Sequence, residues 1–163
     1  MLNANLILPW SLAENNETYS WRFKIIELDA RVAQGDCFAD LSSEITATIR
    51  GGVDDLNRHY ADVCLTGELS LTCQRCLQAM PFTLNNSVRI LFCSDEASAD
   101  LIDDEDADVL VVGETADVRE WIEDQLLTAL PFAPMHESCD EDHLMQYRND
   151  KHNPFSVLKN IKP

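Results

Sequence analysis

Cys73 and Cys76 are separated by two residues, and a second pair at the same spacing, His136 and Cys139, lies further along the chain. Two such side chains can grip one tetrahedral zinc ion from a turn, since thiolate sulfur and imidazole nitrogen are its preferred donors. Together the pairs make a Cys₃His set. The 59 residues between them are no obstacle, because ligands need only meet in space. One residue counts against the set: position 77 is Leu, where a zinc knuckle usually takes Gly or another small residue as the backbone turns toward φ > 0. The alternative reading is a pair of free thiols. A redox role is weaker still. Reactive Cys-x-x-Cys pairs sit at helix N-termini, where the dipole lowers the thiol pKa, and this pair lies between two predicted strands. Cys37, Cys64 and Cys93 are read as small buried hydrophobes.

Other constellations offer less. Residues 95–108 carry eight carboxylates and no basic residue. Asp104, Asp106 and Asp108 match positions 1, 3 and 5 of an EF-hand loop, but position 6 is Val109 and position 12 is Thr115, which excludes that site. The segment is expected to be a mobile, solvated acidic loop, with Asp103, Asp104, Asp106 and Asp108 available to a basic partner. No Gly-rich phosphate loop, Gly-x-Ser-x-Gly elbow or His-Glu-x-x-His motif occurs, so a binding protein is expected rather than an enzyme. His59, His143 and His152 lie in polar contexts and are read as surface residues. The one locally basic stretch is 148–163, with Arg148, Lys151, Lys159 and Lys162 against Asp150.

The elements that must position these residues are legible in part. Val63, Leu65, Leu69 and Leu71 alternate with Thr66, Glu68, Ser70 and Thr72 across 60–73, the pattern of a half-buried antiparallel strand. Phe82, Leu84, Val88, Ile90 and Phe92 repeat the alternation after Pro81. The two runs predict a hairpin whose connection carries Cys73 and Cys76. Weaker strands are expected at 6–8, around Trp21, Phe23 and Ile25, at 41–50 ending at Gly51-Gly52, and at 109–112. The best helix spans 117–130. Asp117 caps it with Glu120 placed for a capping box, Trp121, Ile122, Leu126 and Leu130 form its apolar face, Glu120, Glu123 and Asp124 take the wet side, and Pro131 stops it. Residues 135–163 read as irregular, with Phe155, Leu158 and Ile161 at a spacing of three near the end, a docking helix or a tail awaiting a partner. The expected fold is α+β: one domain over 1–163, an antiparallel β-sheet or partly closed barrel with a helix packed on it near 117–130.

At 163 residues, such a chain can fold without disulfides or metal. Its charge balance is unusual: 29 acidic against 12 basic side chains, a formal net charge of −17. That field repels a phosphate backbone and favours a basic protein partner. The N-terminus lacks the basic start and long apolar core of a signal peptide, and no run reaches the length of a membrane span. A cytoplasmic protein with no membrane partner is expected, its six cysteines serving as thiols or metal ligands.

Three stretches taken together resemble the YceD family, also called the large ribosomal RNA subunit accumulation protein family. They are Leu69-Ser70-Leu71-Thr72-Cys73-Gln74-Arg75-Cys76-Leu77; Asp117-Val118 through Leu126-Leu127-Thr128-Ala129-Leu130-Pro131-Phe132-Ala133-Pro134, followed by His136 and Cys139; and Asn153-Pro154-Phe155-Ser156-Val157-Leu158-Lys159. The resemblance covers roughly residues 60–163. It implies a bacterial cytosolic protein that helps 23S ribosomal RNA accumulate, and it implies no catalytic residues. Family members often place Glu where this chain has Gln125, and some carry Cys where it has His136. In that frame the charge favours action through a basic ribosomal protein or assembly factor, with Arg75, Phe155 and Leu158 as further contact candidates. Two alternatives stand beside it: direct ribosomal RNA contact through Arg75, Arg89 and the basic C-terminal tail, and a zinc-dependent enzyme.

Overall fold

A computed structural model of the chain describes residues 5–33 and 37–139. In chain order the elements are β1 (Leu6–Ile7), α1 (Pro9–Glu14), β2 (Thr18–Lys24), a 3₁₀ turn (Ile25–Glu27), α2 (Ala30–Ala33), β3 (Phe38–Asp40), β4 (Glu44–Val53), β5 (His59–Thr72), β6 (Ala79–Cys93), α3 (Glu96–Ala99), β7 (Ala107–Val111), β8 (Ala116–Asp117) and α4 (Val118–Ala129). The fold is α+β. Its main sheet has the order β2-β4-β5-β6-β7, with β3 pairing the far end of β5, and the sheet stays open rather than closing into a barrel. All pairings in it are antiparallel except β6 with β7.

The centre of the sheet is the predicted hairpin. β5 and β6 pair continuously from Tyr60↔Leu91 to Thr72↔Ala79. Alternation along β5 puts Ala61, Val63, Leu65, Leu69 and Leu71 into the core, joined by Ile45, Ala47 and Ile49 from β4. Over this inner face lies α4, packed on β5 and β6 through Val118, Trp121, Ile122 and Leu126. The Trp121 ring sits 5.6 Å from that of Phe92. Full burial of each large aliphatic side chain contributes about 1.5–3 kcal/mol, so the strand alternation and the helical stripe together hold α4 to the sheet. Asp117 caps α4 by accepting the Arg119 N–H at 3.0 Å. The helix ends where Leu130 turns extended ahead of Pro131, as steric restriction before proline requires.

Several expectations are corrected. Gly51-Gly52 does not end the fourth strand, which runs on to Val53. The glycines are there for close approach: a Cβ on Gly51 would overlap the Leu12 carbonyl oxygen of α1. α1 itself was not anticipated. Pro9 at its first position needs no N–H partner, and Leu12 and Ala13 are buried beneath it. The 6–8 strand is only Leu6–Ile7 and pairs with β8, not with the main sheet. Ile25 opens the 3₁₀ turn rather than extending β2. Glu123 is not on the wet side of α4. It is 3% exposed and accepts hydrogen bonds from the Asp29 N–H (2.8 Å), Arg31 (3.3 Å) and Arg119 (3.1 Å), because the segment entering α2 packs over that flank.

Candidate functional site

The β5–β6 connection is a tight turn. Cys73 N–H donates to the Gln78 carbonyl and Leu77 N–H to the Cys73 carbonyl, both at 2.9 Å. Leu77 has φ 61°, the left-handed conformation a zinc knuckle needs at this position. For a residue with a Cβ this costs about 1–2 kcal/mol. The objection raised by Leu is therefore met by strain that the surrounding turn imposes, and Leu77 remains 46% exposed.

The second pair is brought to the first by the chain leaving α4. Gln74 N–H donates to the Pro134 carbonyl at 2.8 Å, and Pro134 is buried. This strap sets His136 and Cys139 against the turn. Cys73 Sγ lies 3.8 Å from Cys139 Sγ, and Cys76 Sγ lies 3.4 Å from His136 Nδ1. All four ligand atoms lie within 4.8 Å of one another, with Cys73 and Cys76 buried and His136 and Cys139 half-buried. No disulfide joins the described cysteines, all of which are free thiols. Burial alone would push the Cys73 thiol up, but N–H donors from Cys76, His136 and Arg75 outweigh it and hold the thiol well below its ordinary range. Cys139 is pushed up by burial and by its hydrogen bonds to Cys73 and Cys76. Such a set can bind a soft or borderline metal ion with four protein ligands.

The other cysteines divide. Cys93 is buried in β6, and burial raises its thiol pKa. Cys64 and Cys37 are only half-buried, which corrects the expectation of buried hydrophobes. Cys64 faces the outer side of the sheet between Thr48 and Ser87 in register.

Within 95–108 the structure has more order than an unstructured loop. Asp95 caps α3 by accepting the Ser98 N–H at 2.8 Å, and β7 begins at Ala107. Asp104 binds Arg58 at 2.9 Å and Asp108 accepts from Gln125 at 2.9 Å, setting the strip beside α4. Asp103, Glu105 and Asp106 are exposed, and no ion pair involves them among the described residues.

The candidate RNA contacts part company. Arg89 is held by both oxygens of Asp62, at 2.7 and 2.9 Å, with its guanidinium 3.9 Å above the Tyr60 ring. It shares a hollow of about 430 Å³ with Asp104 and Asp106. Arg75 is exposed beside the cysteine cluster, its Nη2 3.8 Å from Met135 Sδ. Phe155, Leu158 and the basic stretch 148–163 lie outside the described residues. His59 is more enclosed than a surface residue, with its ring 5.3 Å from Trp10. One feature had no sequence signal: Phe132 is fully exposed just after α4, with Met135 half exposed three residues on.

Another hollow, of about 460 Å³, is lined by Leu6, Leu8, Leu12, Trp21, Glu17 and Tyr19. Its ionisable groups are already joined, Tyr19 donating to Glu17 at 2.8 Å. No helix among the described residues is long and apolar enough to cross a membrane.

Neither a comparison with curated proteins nor one with solved structures gave a match. The profile of the family described as large ribosomal RNA subunit accumulation protein YceD matches residues 61–162. That span takes in both ligand pairs, the acidic strip and α4, so the resemblance noted in the sequence rests on the elements that build the site. The chain belongs to the YceD family, whose description assigns it a role in accumulation of the large-subunit ribosomal RNA.

Proposed function

We propose that the protein is a cytoplasmic, non-enzymatic accessory factor that supports 23S ribosomal RNA accumulation by binding a basic ribosomal protein or assembly factor. The carrying observation is how the described arginines are used. Arg31, Arg58, Arg89 and Arg119 are each tied to carboxylates, Arg22, Arg50 and Arg75 are exposed but scattered over β2, β4 and the β5–β6 turn, and Asp103, Glu105 and Asp106 stand exposed together on a chain of net charge −17. A polyanion gains affinity only where several cationic side chains replace its counterions. Arg89 is already neutralised by Asp62 and flanked by further acids, so it is a poor phosphate ligand. A basic protein meets complementary potential along the strip, which speeds encounter and aids specificity.

Direct RNA contact keeps one supporting observation, a few exposed basic side chains in no ion pair among the described residues: Arg75 beside the cysteine cluster, and Arg22, Lys24 and Arg50 on β2 and β4. The two readings separate in a binding series across salt, with naked 23S RNA fragments and with purified basic large-subunit proteins as ligands. The expected result is weak RNA binding at physiological salt, and salt-sensitive binding to at least one basic protein that slows when Asp103, Glu105 and Asp106 are changed to Asn, Gln and Asn. Asp104 is left in place because it binds Arg58. Tight RNA binding that survives these changes and is lost in Arg75→Ala would overturn the proposal.

A further inference from the structure

We infer that Cys73, Cys76, His136 and Cys139 form a closed, structural zinc site that clasps the tip of the β5–β6 hairpin to the segment leaving α4. The distances carry the first part. With Zn–S near 2.3 Å and Zn–N near 2.0–2.1 Å, tetrahedral ligands stand about 3.8 Å apart sulfur to sulfur and about 3.6 Å sulfur to nitrogen. The observed Cys73–Cys139 and Cys76–His136 separations are 3.8 and 3.4 Å. A disulfide would bring two sulfurs to about 2.0 Å, so the cluster is spaced for an ion and not for a bond.

The backbone carries the second part. The left-handed Leu77 and the turn hydrogen bonds fix the first pair. The Gln74–Pro134 hydrogen bond fixes the second against it, and His136 N–H points at Cys73 Sγ at 3.5 Å. Outer hydrogen bonds of this kind orient metal ligands and tune them. The ligands are thus preorganised from two distant stretches.

Three thiolates and an imidazole select zinc over hard cations such as magnesium or calcium. With the metal bound all three cysteines are thiolates, any thiol proton still held having gone to solvent, the imidazole binds neutral through Nδ1, and the metal's charge of +2 is met by three negative sulfurs. Four protein ligands complete the tetrahedron and leave no position for a water or substrate. The site is therefore a clasp and not a catalytic centre, which sets aside the zinc-dependent enzyme.

The test uses the full-length chain, purified reduced and without chelator, with elemental analysis and a cobalt(II) titration of the metal-free form. The expected result is about one zinc per chain and the intense visible bands of tetrahedral thiolate cobalt. His136→Ala and Cys139→Ser should each weaken metal binding by at least about tenfold, while Cys64→Ser, a cysteine outside the cluster, leaves it unchanged. Because the wild-type cobalt spectrum needs no variant, loss of folding in either substitution does not remove the test. Zinc below about a tenth of an equivalent with no cobalt bands, in protein whose thiols titrate as reduced, would overturn the inference. So would a Cys64→Ser variant as impaired as Cys139→Ser.

Discussion

The Cys73 sulfur lies 3.8 Å from the Cys139 sulfur across 66 residues of chain, and the Gln74–Pro134 hydrogen bond beside them closes the same loop. The clasp and the strap should fail together. Cys139→Ser is expected to speed exchange of the Gln74 and His136 amide hydrogens by about tenfold, while the β5 amides stay protected, since local opening need not involve the core. Hydrogen–deuterium exchange by mass spectrometry checks this. Equal loosening of β5 would show that the segment after α4 is part of the global folding unit instead.

Leu77 at φ 61° is a strained position with little packing to lose. Leu77→Gly should leave stability unchanged or raise it by up to about 1 kcal/mol, and Leu77→Val should lower it by about 1 kcal/mol or more, because β-branching worsens the left-handed conformation. Urea unfolding of the three proteins gives the order directly. A stabilising Leu77→Val would contradict the backbone reading.

How much of this was legible in sequence depended on whether a local pattern carried the information. The β5–β6 hairpin and α4 were readable because Val63, Leu65, Leu69 and Leu71 alternate and Trp121, Ile122 and Leu126 recur at helical spacing. The ligand set was readable because its two pairs share a short spacing, although only the structure shows that they meet. What escaped was tertiary. Gly51-Gly52 reads as a strand end until α1 is seen lying across it. Glu123 reads as solvated until the Asp29–Arg31 segment is seen covering it. Arg89 reads as a free cation until Asp62 appears opposite it in register.

Glu123 is the buried carboxylate that joins α4 to α2 through the Asp29 N–H and Arg31. Glu123→Ala orphans that N–H and removes a shared partner of Arg31 and Arg119, so a loss of about 2–3 kcal/mol is expected. Asp124→Ala, whose partner Arg31 is a half-exposed side chain, should cost under about 1 kcal/mol. Chemical denaturation of both variants tests the contrast. Equal losses would mean that burial of Glu123 does not matter.

Asp54 organises the β4–β5 turn. Burial works to raise its pKa, but bonds from the Arg58 backbone and side chain and from the Leu56 N–H outweigh burial and lower it. A carboxylate lowered in the folded state stabilises above its unfolded pKa, about 3.9, and that contribution is lost as pH falls through the folded value. Acidification from pH 7 to pH 3 should therefore cost the wild type more stability than it costs Asp54→Asn. Urea midpoints at the two pH values measure the difference, and parallel losses would contradict the assignment.

The measurement closest to the central claim is the ratio of large- to small-subunit ribosomal RNA in bacterial cells from which the gene is deleted and then restored. The account predicts a lower ratio on deletion and recovery with the wild-type chain. It also predicts poor recovery with the chain neutralised at Asp103, Glu105 and Asp106, at equal protein level. An unchanged ratio on deletion, or full recovery with the neutralised strip, would contradict it.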